Sequence, residues 1–186
     1  MRHTQKQMRE IAEEARTELG LRPLQRLDPY ALCELYGIAI YRLTDGVAKV
    51  VEHFTATRPS AWSAMLVPVG SARIIIENDT HAPVRRRSNI AHELGHHLLE
   101  HAFDEVLLGD DHRRQFDEQA EKEAKFISGE LLIPDTAAKR AAFDALSNEQ
   151  VAMRYGVSEQ FAQMRLAGPR KYAAHALRNQ MRGRAS

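Results

Sequence analysis

Residues 85–101 read RRRSNIAHELGHHLLEH, and this run limits the possible folds more than any other stretch of the chain. Read as a helix from 88 to 103, it carries Ile90, Leu94 and Leu98 along one side, while Leu99 and Phe103 flank the face of His92 and His96. A helix that is apolar on both sides is buried between layers, and histidines inside it need partners. The segment therefore belongs at the centre of the fold.

His92 and His96, at i and i+4, lie about 40° apart on the helix and can reach one point in space. Glu93 sits about 100° to one side of His92. This is the HExxH spacing, in which two imidazoles bind Zn²⁺ and the glutamate is general base for the attacking water. With nine His and sixteen Glu among 186 residues, the spacing arises by chance in roughly 4% of such chains, so it needs support from its surroundings. The buried setting gives some. Gly95 gives more, because its cost of about 1 kcal/mol in a helix is easier to accept where backbone or metal approaches closely. His97 and His101 also stand at i and i+4, but about 120–160° away from the first pair on the wheel. They are expected to be structural, bonded to backbone or to a carboxylate, with a second metal pair as the alternative.

A third ligand is not supplied by the same helix, since Leu99 and Ala102 break the longer HExxHxxGxxH pattern. The donor is expected on the acidic helix DEQAEKEAKFISGELLIP, residues 117–134. Its core face is Ala120, Ala124, Ile127 and Leu131. Glu121 and Glu123 lie on opposite shoulders of that face and Glu118 lies further round, so helical geometry does not choose among them.

The remaining sequence frames this pair of segments. A lone cysteine, Cys33, excludes an internal disulfide and a thiolate metal cluster. The first 20 residues are polar and charged, and no run of 18 apolar residues occurs, so a cytoplasmic protein with no membrane contact is expected. Thr4–Leu19 reads as an amphipathic helix stopped by Gly20, and Asp28, Pro29 and Gly37 punctuate a second helix. Ile38–Arg42, Val47–Val51, Trp62–Val67 and Arg73–Glu77 read as short strands, and Asp104–Phe116 as a loop. Further helices are expected near Glu118–Ile133, Thr136–Ala145, Glu149–Tyr155 and Glu159–Leu166. The order implies an α+β domain with a small antiparallel or mixed sheet covered by two central helices. Its boundaries are expected at 1–134 for the core and 135–186 for a helical C-terminal extension. That extension holds nine Lys/Arg against four Asp/Glu, and from Gly168 onward five basic residues and no acid, which reads as a solvated basic tail.

Two passages together, RRRSNIAHELGHHLLEH and EKEAKFISGELLIP, resemble the ImmA/IrrE family of metallo-endopeptidases. The resemblance extends roughly over residues 8–166 when the LGL turn at Leu19 and the YGVS stretch are included. It implies a zincin-like fold and a metal held by His92, His96 and Glu121, the glutamate 13 residues before the helix-ending Pro134. Zn²⁺ is the expected ion, with Mn²⁺ or Fe²⁺ as alternatives. It further implies endopeptidase action on a helix-turn-helix repressor, with Glu93 as general base. Lys125 departs from the family's Asn or Asp, so no hydrogen bond from that position to a histidine ligand is expected, while the three ligands themselves are unaffected. Ala72–Ile76 is a candidate free strand edge for substrate. Tyr41, His81, His112 and Arg85–Arg87 are candidate oxyanion donors.

Residues 150–166, QVAMRYGVSEQFAQMRL, have the rhythm of a helix-turn-helix. A DNA-binding regulator with a structural zinc is thus a second reading, although the candidate recognition helix Glu159–Leu166 begins with an acid and carries only Arg165 as a cation. A metal-binding anti-repressor that binds without cleaving is a third. Oligomeric state is not legible.

Overall fold

A computed structural model of the 186-residue chain describes residues 3–58, 61–101 and 118–184. The elements follow from local chemistry wherever a cap is present. Helix α1 (Gln5–Glu18) starts at Thr4, whose hydroxyl accepts from the Gln7 amide while the Gln7 side chain accepts from the Thr4 amide. Helix α2 (Pro29–Leu35) starts at Asp28, whose carboxylate accepts from the Tyr30 amide.

The sheet holds three strands, β1 (Ala39–Arg42), β2 (Ala64–Val69) and β3 (Ala72–Glu77), in the order β1-β3-β2. Strands β1 and β3 run parallel, with Ile40 beside Ile75; β2 and β3 are antiparallel, with Leu66 opposite Ile75. The sheet is therefore mixed. Pro68 falls inside β2, which an edge strand tolerates because one row of amides needs no ladder partner.

Two expectations for this region are corrected. Val47–Val51 is helical: α3 (Ala48–Glu52) continues into a wider turn at His53–Thr57. The segment bridges β1 and β2 outside the sheet and leaves Val47 71% exposed, so its β-branched residues have no pleated surface to pack on. Ala72–Ile76 is not an edge. It lies in β3, paired on both sides, which leaves β2 and β1 as the edges.

Helix α4 (Pro83–Leu98) packs on β2 and β3, and α5 (Glu118–Leu132) packs on α4 and α1. Their contact passes through Gly95. A Cβ there would lie 2.8 Å from the Ala124 carbonyl oxygen and 2.8 Å from Ile127 Cγ2. The cost of glycine in this helix thus permits a backbone approach. Helices α6 (Asp135–Phe143), α7 (Asn148–Tyr155) and α8 (Glu159–Arg184) follow. Instead of ending near Leu166, α8 continues through Pro169, so the basic tail is helical as far as Arg184.

Two apolar cores result. One joins Met8, Ala12, Leu32, Ile38, Leu66, Ile75, Ile90, Leu94, Ile127 and Leu131; the other joins Ala91, Leu132, Ile133, Val151, Tyr155, Ala162 and Leu166. Helices α4 and α5 contribute to both cores, which is why α4 is apolar on two sides. The architecture is α+β, with a small mixed sheet and predominantly helical surroundings. No helix among the described residues is long and apolar enough to cross a membrane.

Candidate metal centre

Gly95 sets the distance between α4 and α5, and that distance brings Glu121, one turn before Ala124, over the histidine face. His92 Nε2 lies 3.1 Å from Glu121 Oε2, His96 Nε2 lies 3.4 Å from Glu121 Oε1, and the two Nε2 atoms are 3.2 Å apart. The two imidazoles face different oxygens of the one carboxylate, and each separation is close to the edge of about 3.3 Å of a tetrahedron whose centre lies about 2.0–2.1 Å from its corners. Two imidazole nitrogens and a carboxylate oxygen are also a donor set suited to zinc. The residues present fit a divalent cation. Hydrogen bonds from His92 and His96 hold the Glu121 carboxyl well below the usual carboxylate range, so it is ionised.

Glu93 turns away from this triad toward the sheet. Its Oε2 accepts from the Leu66 amide of β2 at 2.8 Å, and the residue is 7% exposed. Since Leu66 sits on an edge strand, that amide points outward from the ladder. The carboxylate is thus held between α4 and β2.

The other two glutamates have different surroundings. Glu118 is 86% exposed and pairs with Lys122 at 3.2 Å. Glu123 is buried at 3% exposure, accepts from Gln119 Nε2 at 2.8 Å, and lies 3.4 Å from His101 Nε2 and 3.5 Å from His3 Nδ1. Burial pushes its carboxyl up, but hydrogen bonds from Gln119, His101 and His3 outweigh this and hold it below its ordinary range.

His101 is the residue that the helical wheel misplaced. Helix α4 ends at Leu98, not at 103, and Glu100 takes the left-handed conformation at φ +50°. The His101 amide then bonds the His96 carbonyl and the Glu100 amide the His97 carbonyl, a Schellman turn with glutamate in the usual glycine place. The turn folds His101 back onto α4, with its Nδ1 3.0 Å from His96 Nδ1. Burial and the neighbouring His96 push the His101 imidazole below its ordinary value. His97 diverges from its neighbour, its ring beside the Arg73 guanidinium and the Tyr36 ring in place of the expected backbone group or carboxylate.

Lys125 is exposed and so does not substitute for the expected Asn or Asp beside a histidine; His101 stands beside His96 instead. The Schellman hydrogen bonds place it there, and nothing in the residue spacing announces them.

The candidate oxyanion donors are dispersed. Arg86 is tied to Glu77, and Arg87 to the Leu27 and Gly156 carbonyls. Arg85 reaches Ser63 Oγ at 3.0 Å, and Tyr41 is on β1, the edge opposite β2. The His81 amide bonds the Asn78 carbonyl in the turn before α4. His112, Phe103 and the Asp104–Phe116 loop lie outside the described residues.

Helix α7 ends at Gly156, left-handed at φ +64°, and α8 packs against it. Arg165, the cation of the candidate recognition helix, turns inward: its guanidinium donates to the Ile133 carbonyl and pairs with Glu130 at 3.0 Å.

No curated protein sequence matches the chain. A family model does, over residues 33–167, from α2 through the first turns of α8 and so across both α4 and α5. With most of its length covered by that match, the chain belongs to the IrrE N-terminal-like domain family, Peptidase_M78, a peptidase family of metal-dependent type.

Proposed function

We propose that this chain is a zinc-dependent endopeptidase in which His92, His96 and Glu121 hold the cation and Glu93 carries the proton. The observation that supports this reading is that the Nε2 atoms of His92 and His96, on the helix that also carries the buried Glu93, lie 3.2 Å apart and 3.1 and 3.4 Å from the two oxygens of Glu121. When bound, the ion supplies Lewis acidity that brings the pKa of water toward neutrality. Glu93 accepts the proton as the water oxygen bonds to the scissile carbonyl carbon, and delivers it to the amine as the C–N bond breaks. The Leu66 amide holds one Glu93 oxygen, which fixes the carboxylate's direction before substrate arrives. Strand addition by an extended peptide would run along β2, the edge that reaches Glu93. The substrate class that the resemblance implies is a helix-turn-helix repressor, which would place the reaction in the cytoplasm.

The test uses Glu93→Gln and Glu121→Ala, with metal content by mass spectrometry and cleavage of a co-expressed repressor. Glu93→Gln should retain about one zinc per chain and lose at least about 100-fold in cleavage, while Glu121→Ala should lose both. Equal repressor inactivation by wild type and Glu93→Gln would replace cleavage by binding alone, the anti-repressor reading. The DNA-binding reading would instead require a salt-dependent shift of duplex DNA that disappears on deleting residues 168–186. Inward-turned Arg165 weighs against it.

A further inference from the structure

We infer that His101 and Glu123 act as a positioning pair that locks His96 in the tautomer able to bind metal, and that the neighbouring cluster of His3, His101 and Glu123 therefore takes no ion while the first site is filled. This rests on the metal centre proposed above.

The His3, His101 and Glu123 donor atoms lie within 4.8 Å of one another, as do those of His92, His96 and Glu121. On spacing alone there are two candidate ion sites, and they share one hydrogen bond. His96 Nδ1 and His101 Nδ1 face each other at 3.0 Å. Two such nitrogens form a hydrogen bond only when one proton lies between them.

Suppose His96 ligates through Nε2, the atom that faces His92 and Glu121. As a neutral imidazole it carries its proton on Nδ1 and donates to His101 Nδ1. His101 is then an acceptor at Nδ1 and carries its own proton on Nε2. That proton points to Glu123 Oε2, 3.4 Å away. A carboxylate only accepts, so the chain of donors ends there. Gln119 holds the other Glu123 oxygen at 2.8 Å and keeps the acceptor in place.

Suppose instead that His101 ligates through Nε2. Its proton must sit on Nδ1, His96 Nδ1 becomes the acceptor, and the His96 proton moves to Nε2. His96 then has no lone pair for a metal. With neutral rings, one shared proton makes the two sites mutually exclusive.

The geometry favours the first arrangement. The His92 and His96 Nε2 atoms lie 3.2 Å apart and 3.1 and 3.4 Å from the Glu121 oxygens, whereas His101 and His3 lie 3.4 and 3.5 Å from Glu123. The chain also holds Glu100 at φ +50°, a conformation that disfavours non-glycine residues, in the turn that puts His101 on His96. Partners of this kind behind a ligating histidine typically change metal affinity by about 10- to 100-fold.

The experiment measures zinc affinity of the full chain by competition with a chromophoric chelator, and histidine tautomers by long-range ¹⁵N–¹H correlation in the zinc-loaded protein. Wild type should bind one zinc, with His96 protonated at Nδ1 and His101 at Nε2. His101→Ala and Glu123→Ala should weaken binding by about 10- to 100-fold. His101→Gln, whose amide oxygen can accept from His96, should recover most of that loss. His3→Ala should leave the affinity unchanged. The proposal is overturned by His101 protonated at Nδ1 in the loaded protein, by a second zinc that His3→Ala removes, or by His101→Ala binding as tightly as wild type. Wild type that binds no zinc would remove the metal centre itself and this inference with it. One zinc bound equally by wild type and His101→Ala would remove the positioning pair alone. Should His101→Ala fail to fold, the wild-type tautomers and Glu123→Ala still decide.

Discussion

Gly95 sits where intrinsic propensity and packing oppose each other. In an isolated helix, alanine would be better by about 1 kcal/mol. Here a Cβ would meet the Ala124 carbonyl oxygen and Ile127 Cγ2 at 2.8 Å, and the first of these is backbone that cannot rotate away. Gly95→Ala should therefore cost about 1–3 kcal/mol net, lowering the melting temperature by several degrees, and should also weaken zinc binding by moving Glu121 away from the histidines. A melting temperature that rises would show that α5 does not pack as closely as described. Glu100 is the complementary case: there the backbone takes φ +50° in the turn that sets His101 Nδ1 3.0 Å from His96 Nδ1.

Among the elements, α2 shows how short helices are held. Its first turn is fixed by Asp28 and Pro29, and it turns Cys33 fully inward and Tyr30 onto Glu77. Burial, reinforced by Asp28 and Glu77, pushes the Cys33 thiol up to about 12; burial and the hydrogen bond to Glu77 push the Tyr30 phenol up to about 12. Both groups are neutral in the fold and ionise more easily in the unfolded chain, near their ordinary values of 9.0 and 10.0. Their contribution is complete below those values and is lost as pH rises toward 12, at up to about 1.4 kcal/mol per pH unit for each group. Urea midpoints should accordingly fall between pH 9 and 11, with a shallower slope in Cys33→Ala. A midpoint that stays level across that range would contradict the burial of α2.

At the scale of the whole molecule, α4 and α5 form a shared wall between two cores, and α8 closes the second. Ala173 is buried, and Arg170 donates to Asn148 Oδ1 at 2.7 Å and to the Leu146 carbonyl at 2.9 Å, so α8 is anchored beyond Pro169. Past Leu177 the described side chains are exposed. Deleting residues 177–186 should leave the melting temperature unchanged within a degree or so, whereas deleting 168–186 should lower stability by about 1–3 kcal/mol through lost hydrogen bonds and burial. Equal melting temperatures for the two truncations would mean that the C-terminal half of α8 is undocked.

The sequence by itself determined whatever depends on neighbours along the chain. Caps at Thr4, Asp28 and Ser147 and left-handed glycines at 20, 37 and 156 mark helix ends through local hydrogen bonds and sterics. The i, i+4 spacing alone aims His92 and His96 at one point. Tertiary structure decided what depends on partners distant in sequence. Val47–Val51 has the composition of a strand but no strand beside it, and β3 became the centre of the sheet because two segments pair with it. On the helical wheel Glu121 and Glu123 are symmetric shoulders. The approach of α5 at Gly95 is what faces one of them toward His92 and His96 and buries the other against His101. His101 itself depends on a helix that stops at Leu98 and turns back, so its distance to His96 is a property of the three-dimensional path and not of the spacing.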